Sequence, residues 1–403
     1  MRLVRPLRQP AFALLWAGLA FSALGDQVYV VALAWLAVQA FGANAGLLSA
    51  LTAACALTAA LFAGRWVDHR VQPGVMVAAD LARAGALVGA VAAWSALGPS
   101  PAALGLAVAV LGAGQSLFRP AMQAVLPVLV RSAPDLPAAN ALLDSTERMA
   151  RLGGPALVGL LGGVVPPLQF LSLDALTFVG SAAAVVLAAR MAALAGVRRA
   201  GTRDGVLEGL VRGFRTLRGH PLLYRATLVG FVSNGAWLAT FYLALPLRLG
   251  SGRLGAYGAV MAAYGLGNLA SMLVVGSRPA TTRPGWVVLV ADTCFSAGIL
   301  LVGVAASLDG PALVPCLAAG AALTAASAPP ADILLAMLRQ TELPRADLPA
   351  AMRAVIAVAQ GGFLVAMLAA PAALRAVAPG TFIAGCGAAG VVASVLGLGR
   401  FRR

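Results

Sequence analysis

The chain runs as one apolar stretch after another, each long enough to cross a bilayer as a helix. That fact limits what it can fold into more than any motif does. Crossing hydrocarbon takes roughly 20 residues of α-helix. The breaks between stretches are short and rich in Gly, Pro and Arg. In lipid, backbone amides must bond within the segment, which leaves helices or closed barrels. The runs lack the period-two alternation of barrel strands, so they read as helices. Composition agrees: 61% of 403 residues are hydrophobic and 11% charged, too few charges to cover a water-soluble surface.

Helices are predicted at 11–39, 45–64, 75–97, 102–130, 138–164, 168–194, 222–248, 254–276, 285–308, 311–338, 348–376 and 379–399. This is an all-α membrane protein with 12 transmembrane helices. The first segment follows Arg2, Arg5 and Arg8 but is too long for a signal peptide, so it is expected to be retained. The longest hydrophilic stretch falls mid-chain. It divides an N-terminal six-helix bundle (1–195) from a C-terminal one (221–403) through a linker (196–220). In the linker Val206, Leu207, Leu210, Val211, Phe214 and Leu217 oppose Glu208, Arg212 and Arg215, the spacing of a helix on the cytoplasmic membrane surface.

The net charge is +15, and every basic residue is Arg. Nucleic-acid binding is the usual reading of such a balance. Here the Arg residues cluster in alternate short loops and at both termini, while Arg248, Arg253 and Arg375 stand alone on the opposite side. The positive-inside rule explains that pattern and puts both termini in the cytoplasm of a multi-pass cell-membrane protein, with a bacterial inner membrane expected. Without Lys there is neither a Walker-type phosphate site nor a Schiff base. His69 and His220 fall in predicted loops, and Cys55, Cys294, Cys316 and Cys386 read as small core residues at wide spacing. No cofactor and no metal are expected. Solute, protons and lipid are the expected partners of a monomer.

The halves repeat. DLPAA occurs at 135–139 and at 347–351, and at the same shift Gly64 meets Gly276 and Asp80 meets Asp292. Two parallel repeats are thereby related by a pseudo-two-fold axis along the membrane normal, an arrangement that holds substrate near mid-membrane.

Charge at mid-bilayer costs about 2.5–3.5 kcal/mol on insertion scales, so such residues face the protein interior and usually serve the transport path. Asp26, within SALGDQVYVVAL, is the best placed; Tyr29 follows one turn later. It reads as a proton-carrying acid, or else as a packing device hydrogen-bonded to a neighbouring helix. Helix five adds Asp144, Glu147, Arg148 and Arg151, spaced for Asp144–Arg148 and Glu147–Arg151 pairs. This cluster serves substrate and gating or is a locked structural network. Arg119, before Pro120, is expected either to reach it or to bond carbonyls freed by the proline. In the second half Asn234, Trp237, Tyr242, Tyr264 and Asn268 are candidate cavity residues. Asp332 follows Pro329-Pro330, where a broken helix would expose carbonyls.

These features resemble the major facilitator superfamily over nearly the whole chain. The loop Gly64-Arg65-Trp66-Val67-Asp68-His69-Arg70 is similar to its G-x-x-x-D-R signature, with His69 where Arg is usual and Val71 where a second Gly is usual. The resemblance assigns the cytoplasmic gate to Gly64, Asp68, Arg70, Asp80 and Arg83. Gly154, Pro155 and Gly159 match the antiporter signature of helix five, with Ala141, Ala150 and Val158 departing from it. SALGDQVYVVAL, NALLDSTERMARLGGPALVGLL and EGLVRGFRTLRGHPLL resemble the macrolide- and siderophore-efflux branch of drug:proton antiporters. That likeness implies secondary active export of a small hydrophobic or amphipathic compound by proton antiport and alternating access. Proton-coupled import of an organic nutrient or anion, and lysolipid transport, remain open. No second catalytic aspartate is paired with Asp26 as a membrane protease would need, so no enzyme is expected.

Overall fold

The computed structural model describes residues 5–66, 73–130, 135–162, 164–192, 206–250, 253–276, 283–344 and 346–401. Its membrane-length helices are α1 (Pro10–Phe41), α2 (Gly46–Trp66), α3 (Pro73–Leu97), α4 (Pro101–Leu129), α5 (Leu136–Leu161) and α6 (Pro167–Met191). After the short α7 (Val206–Arg218) come α8 (Pro221–Leu249), α9 (Leu254–Gly276), α10 (Pro284–Ala305), α11 (Leu313–Glu342), α12 (Leu348–Ala376) and α13 (Pro379–Leu398). Proline opens α1, α3, α4, α6, α8, α10 and α13, where its fixed φ suits a first turn and no donor is lost.

Ten stretches of the described residues are long and apolar enough to cross a membrane. One of them, Pro10–Thr58, runs through α1 into α2, so it holds two crossings. Helix α5 is long enough as well, at about 39 Å of rise, but its ionised residues Asp144, Glu147, Arg148 and Arg151 keep it off the apolar scale. With these two the described residues hold the 12 expected crossings. Predicted ends lie within four residues of those observed. Residues 67–72, and with them Asp68, His69 and Arg70, lie outside the described set, as does the side chain of Arg148.

Packing groups the chain into two compact units: Met1–Leu33, Thr58–Gly154 and Val164–Asp204, and then Ala34–Leu57, Pro155–Gly163 and Gly205–Arg403. In the first, α3 lies against α4 and α6. Leu15, Met76, Phe118, Leu129 and Ala188 form part of its apolar core. Small residues set the spacing of α1 on α6: a Cβ on Gly18 would strike Ala184, and one on Gly25 would strike Asp174 and Thr177. Seven residues apart, these glycines share one face of α1.

In the second unit α10 packs on α11 and α13, α9 on α11, and α8 on α12. Helix α7 lies against α12, with Leu210, Phe214 and Leu217 on the unit's core and Arg212 3.7 Å from Asp347. Its apolar stripe is divided, since Leu207 and Val211 stay exposed. Helix α8 carries a π turn at Thr240–Ala244. Pro246 has no N–H to give the Phe241 carbonyl five residues back, and the Tyr257 hydroxyl donates to that oxygen instead at 2.9 Å. Tyr257 in turn stacks on Trp35, ring centroids 5.6 Å apart.

Two expectations change here. Helix α11 continues through Pro329 and Pro330, so the break expected before Asp332 does not occur. Cys316 is exposed rather than core. Besides Asp26, Asp80 and Asp174 lie within the spans, both fully buried.

Within the second unit Gly159 and Gly258 cross so closely that a Cβ on Gly159 would lie 2.8 Å from the Gly258 carbonyl carbon. Gly258→Ala should therefore destabilise the protein by about 1–3 kcal/mol through overpacking. Gly89→Ala, with nothing within 4 Å, should leave the thermal unfolding midpoint in detergent unchanged.

Candidate functional site

The first unit contains a cavity of about 170 Å³. A single water needs only about 10–15 Å³ of such space, so the cavity has room for several. Asp26, Gln27 and Ser22 line it from α1, Arg83 from α3, Gln115 and Arg119 from α4, and Thr146, Glu147 and Arg151 from α5. Phe118, Met122, Leu19 and Leu143 add apolar wall. Polar groups therefore converge on a partly greasy chamber, the usual chemistry of a small-molecule site.

Helix geometry sets the positions. Gly154, without a side chain, lets α5 close on Gln27 and the backbone at Val28, next to Asp26. That packing aims Glu147 and Arg151, two and one turns earlier on α5, at the same space. Glu147 then serves two arginines, Arg119 at 3.1 Å and Arg151 at 3.6 Å. Arg119 thus takes the cluster in preference to carbonyls near Pro120. The expected Glu147–Arg151 pair forms; Asp144 stands exposed outside the cavity lining. On α1, Trp16 donates to the Thr146 hydroxyl at 2.9 Å, which fixes α5 further.

The floor of the cavity is a buried ion pair. Arg83 binds Asp80, three residues before it, and donates to Gln115 at 2.9 Å. Its guanidinium lies between Phe118 and Phe178, 5.0 and 4.3 Å from the ring centres. Gly114 makes room for the aliphatic stem. A planar guanidinium suits this sandwich of rings and fork-like bonding, which an ammonium would not fill. Asp80 and Arg83 thus meet each other and, through Arg83, the Asp26 chamber. Gly64 ends near the last turn of α2. Tyr29 is buried on α1 and does not line the cavity.

Asp174 on α6 was missed from sequence, although an acid inside an apolar run is itself the signal that finds it. It is fully buried; Thr177 donates to its Oδ1 at 3.0 Å, and its Oδ2 has no hydrogen-bond partner.

The second-half candidates gather separately. Trp237 meets Tyr242, Tyr264 and Phe363 at 5.4–6.1 Å, an aromatic cluster within the second unit. Asn234 turns back to the Gly230 carbonyl at 2.7 Å, and Asn268 reaches the Ala325 carbonyl at 3.4 Å. Asp332 is exposed on α11. Asp292, the repeat mate of Asp80, accepts from Ser233 and Ser394. Phe295 stands where the repeat shift would place a second Arg83.

Removing one partner of a buried pair leaves the other charge stranded, at about 3–5 kcal/mol. Arg83→Met should lower stability by that order, and Asp80→Asn added to it should restore much of the loss. A double-mutant cycle on thermal unfolding midpoints checks this; additive losses would contradict it.

The model of the transmembrane secretion effector family matches residues 3–345. A search of curated proteins gave no significant match. Among solved structures the chain is similar to a bacterial homologue of the iron transporter ferroportin in an inward-facing state. The TM-score is 0.71 at 16% identity, over 98% of this chain and 99% of that one. A POT family transporter in complex with 5-aminolevulinic acid aligns at TM-score 0.69 and 9% identity, over 98% and 96%. A second POT transporter, with a thioalcohol-conjugated peptide, aligns at 0.66 and 10%, over 96% and 94%. At such identities the likeness establishes the fold alone, that of the major facilitator superfamily. The family match covers most of the chain, and the chain belongs to the transmembrane secretion effector family of major facilitator transporters.

Proposed function

We propose that the protein exports a small hydrophobic or amphipathic organic compound in exchange for protons, by alternating access. The observation that carries this reading is Asp26, a carboxyl within a span that lines a polar, part-apolar cavity roomy enough for water. Around it the charges nearly cancel. Arg83 is matched by Asp80, and Glu147 is divided between Arg119 and Arg151, which leaves one cation for Asp26 to offset. Ionised, Asp26 makes the chamber neutral and offers one site to a cationic or hydrogen-bonding group. Protonated, it leaves an excess positive charge that expels a cation. Substrate and proton thereby compete for one carboxyl, which is what exchange requires. The membrane potential adds about 2.3 kcal/mol per charge per 100 mV.

The Arg-rich loops and termini support a cytoplasmic placement of both ends in a bacterial inner membrane. The Gly64, Asp68, Arg70, Asp80 and Arg83 set is proposed as the cytoplasmic gate on the strength of the motif. Gly154, Pro155 and Gly159 are proposed as the bending element of α5. One observation favours a second reading, proton-coupled uptake of an organic anion: three arginines line the cavity against two acids.

Inverted vesicles carrying the full chain separate the two readings. An acid-inside gradient should drive accumulation of a lipophilic cation such as ethidium, or of a macrolide. Asp26→Asn should reduce that accumulation to the level of vesicles without the protein. Accumulation by Asp26→Asn equal to the parent would remove Asp26 from coupling. Net flux of an organic anion down the proton gradient would favour uptake.

A further inference from the structure

Exchange through Asp26 leaves Asp292 without a role, although this acid on α10 is the repeat mate of Asp80 and lies inside the apolar span Pro284–Ala305. We propose that Asp292 is a second proton-binding site, whose resident proton stands in for the arginine this repeat lacks and ties α10 to α13. The site lies in the second unit and does not depend on the reading of Asp26.

Asp292 Oδ2 meets two hydroxyls, that of Ser233 on α8 at 3.1 Å and that of Ser394 on α13. With the acid ionised, Oδ2 accepts from both. Ser394, however, also lies 2.8 Å from the Gly390 carbonyl, one turn back on its own helix. A hydroxyl has one hydrogen to give, and Ser394 is fully buried, away from water. An ionised Asp292 therefore leaves the two Ser394 contacts to share a single hydrogen. A protonated Asp292 completes all three contacts at once. Ser233 then gives to Oδ2, the Oδ2 hydrogen goes to Ser394 Oγ, and Ser394 gives to Gly390. The result is a chain of hydrogen bonds from α8 through α10 to α13.

The charge balance points the same way. In the first repeat Arg83 pairs with Asp80, three residues before it. Phe295 occupies the matching place beside Asp292. No charged group is among the neighbours that act on Asp292. Arg248, on α8, is committed to Asp309 and to the Ala306 and Leu308 carbonyls, and Arg339, on α11, is offset by Asp332. An acid within hydrocarbon that has no cation beside it is neutralised by keeping its proton. Two buried acids at matching places are thus satisfied by different means, one by a guanidinium and the other by a hydrogen.

Infrared spectroscopy of the full-length protein in phospholipid vesicles at neutral pH tests the site without any substrate. Parent minus Asp292→Asn should leave a C=O band of a protonated carboxyl. Ser394→Ala keeps the acid but removes the acceptor of its hydrogen, and should move that band to another frequency. A carboxylate band in the first difference spectrum, or a C=O band that Ser394→Ala leaves in place, would overturn the proposal. Stability supplies a second readout. The amide of Asp292→Asn gives an N–H to Ser394 and a carbonyl to Ser233, as the neutral acid does, so its thermal unfolding midpoint in detergent should match the parent's. Asp292→Leu, which offers neither, should unfold at a lower temperature. A loss in Asp292→Asn as large as in Asp292→Leu would show that charge rather than a hydrogen holds α10 here, and would also overturn the proposal.

Discussion

Hydrocarbon does not solvate a carboxylate or a guanidinium, so each charge within these spans has to find its solvation inside the protein. Much of the first unit follows from that constraint. Asp80 and Arg83 neutralise one another under two aromatic faces, Glu147 bridges two arginines, and Asp26 lines a cavity with room for water. Close helix contact is the second requirement, because lipid tails are as apolar as the side chains and give helices little reason to associate. Gly18, Gly25 and Gly154 supply it, letting backbones and polar groups approach where a side chain would hold them apart. Gly18 and Gly25 thereby bring α1 against α6.

The two units differ in chemistry. Asp80 and Asp292 occupy matching places at the repeat shift, but Arg83 has its counterpart in Phe295, and Asp292 is satisfied by two serine hydroxyls. The first unit carries the ionic cavity. The second carries an aromatic cluster around Trp237 and a π turn whose Phe241 carbonyl accepts from Tyr257.

The helices were legible because length and hydropathy alone decide what can cross a bilayer, and proline marks the start of seven of them. Asp26 and the α5 charges stood out for the same reason, as ions in apolar runs. That Arg119 chooses Glu147 over carbonyls near Pro120 depends on how α4 meets α5, which no local pattern encodes. Asp174 was equally visible by composition, in QFLSLDALTFV, yet its burial against Gly25 depends on the α1/α6 crossing. Tandem prolines suggested a break in α11 that the tertiary setting overrides.

The central claim is that Asp26 exchanges protons with water in the cavity. Dicyclohexylcarbodiimide, an apolar reagent that attacks protonated carboxyls, reads this directly when adducts are located by mass spectrometry of the intact, lipid-embedded protein. Labelling at Asp26 should be rapid in acid and fall away as the medium is made alkaline. Labelling of Asp26 at one rate across that range, or none while other buried acids react, would contradict the account.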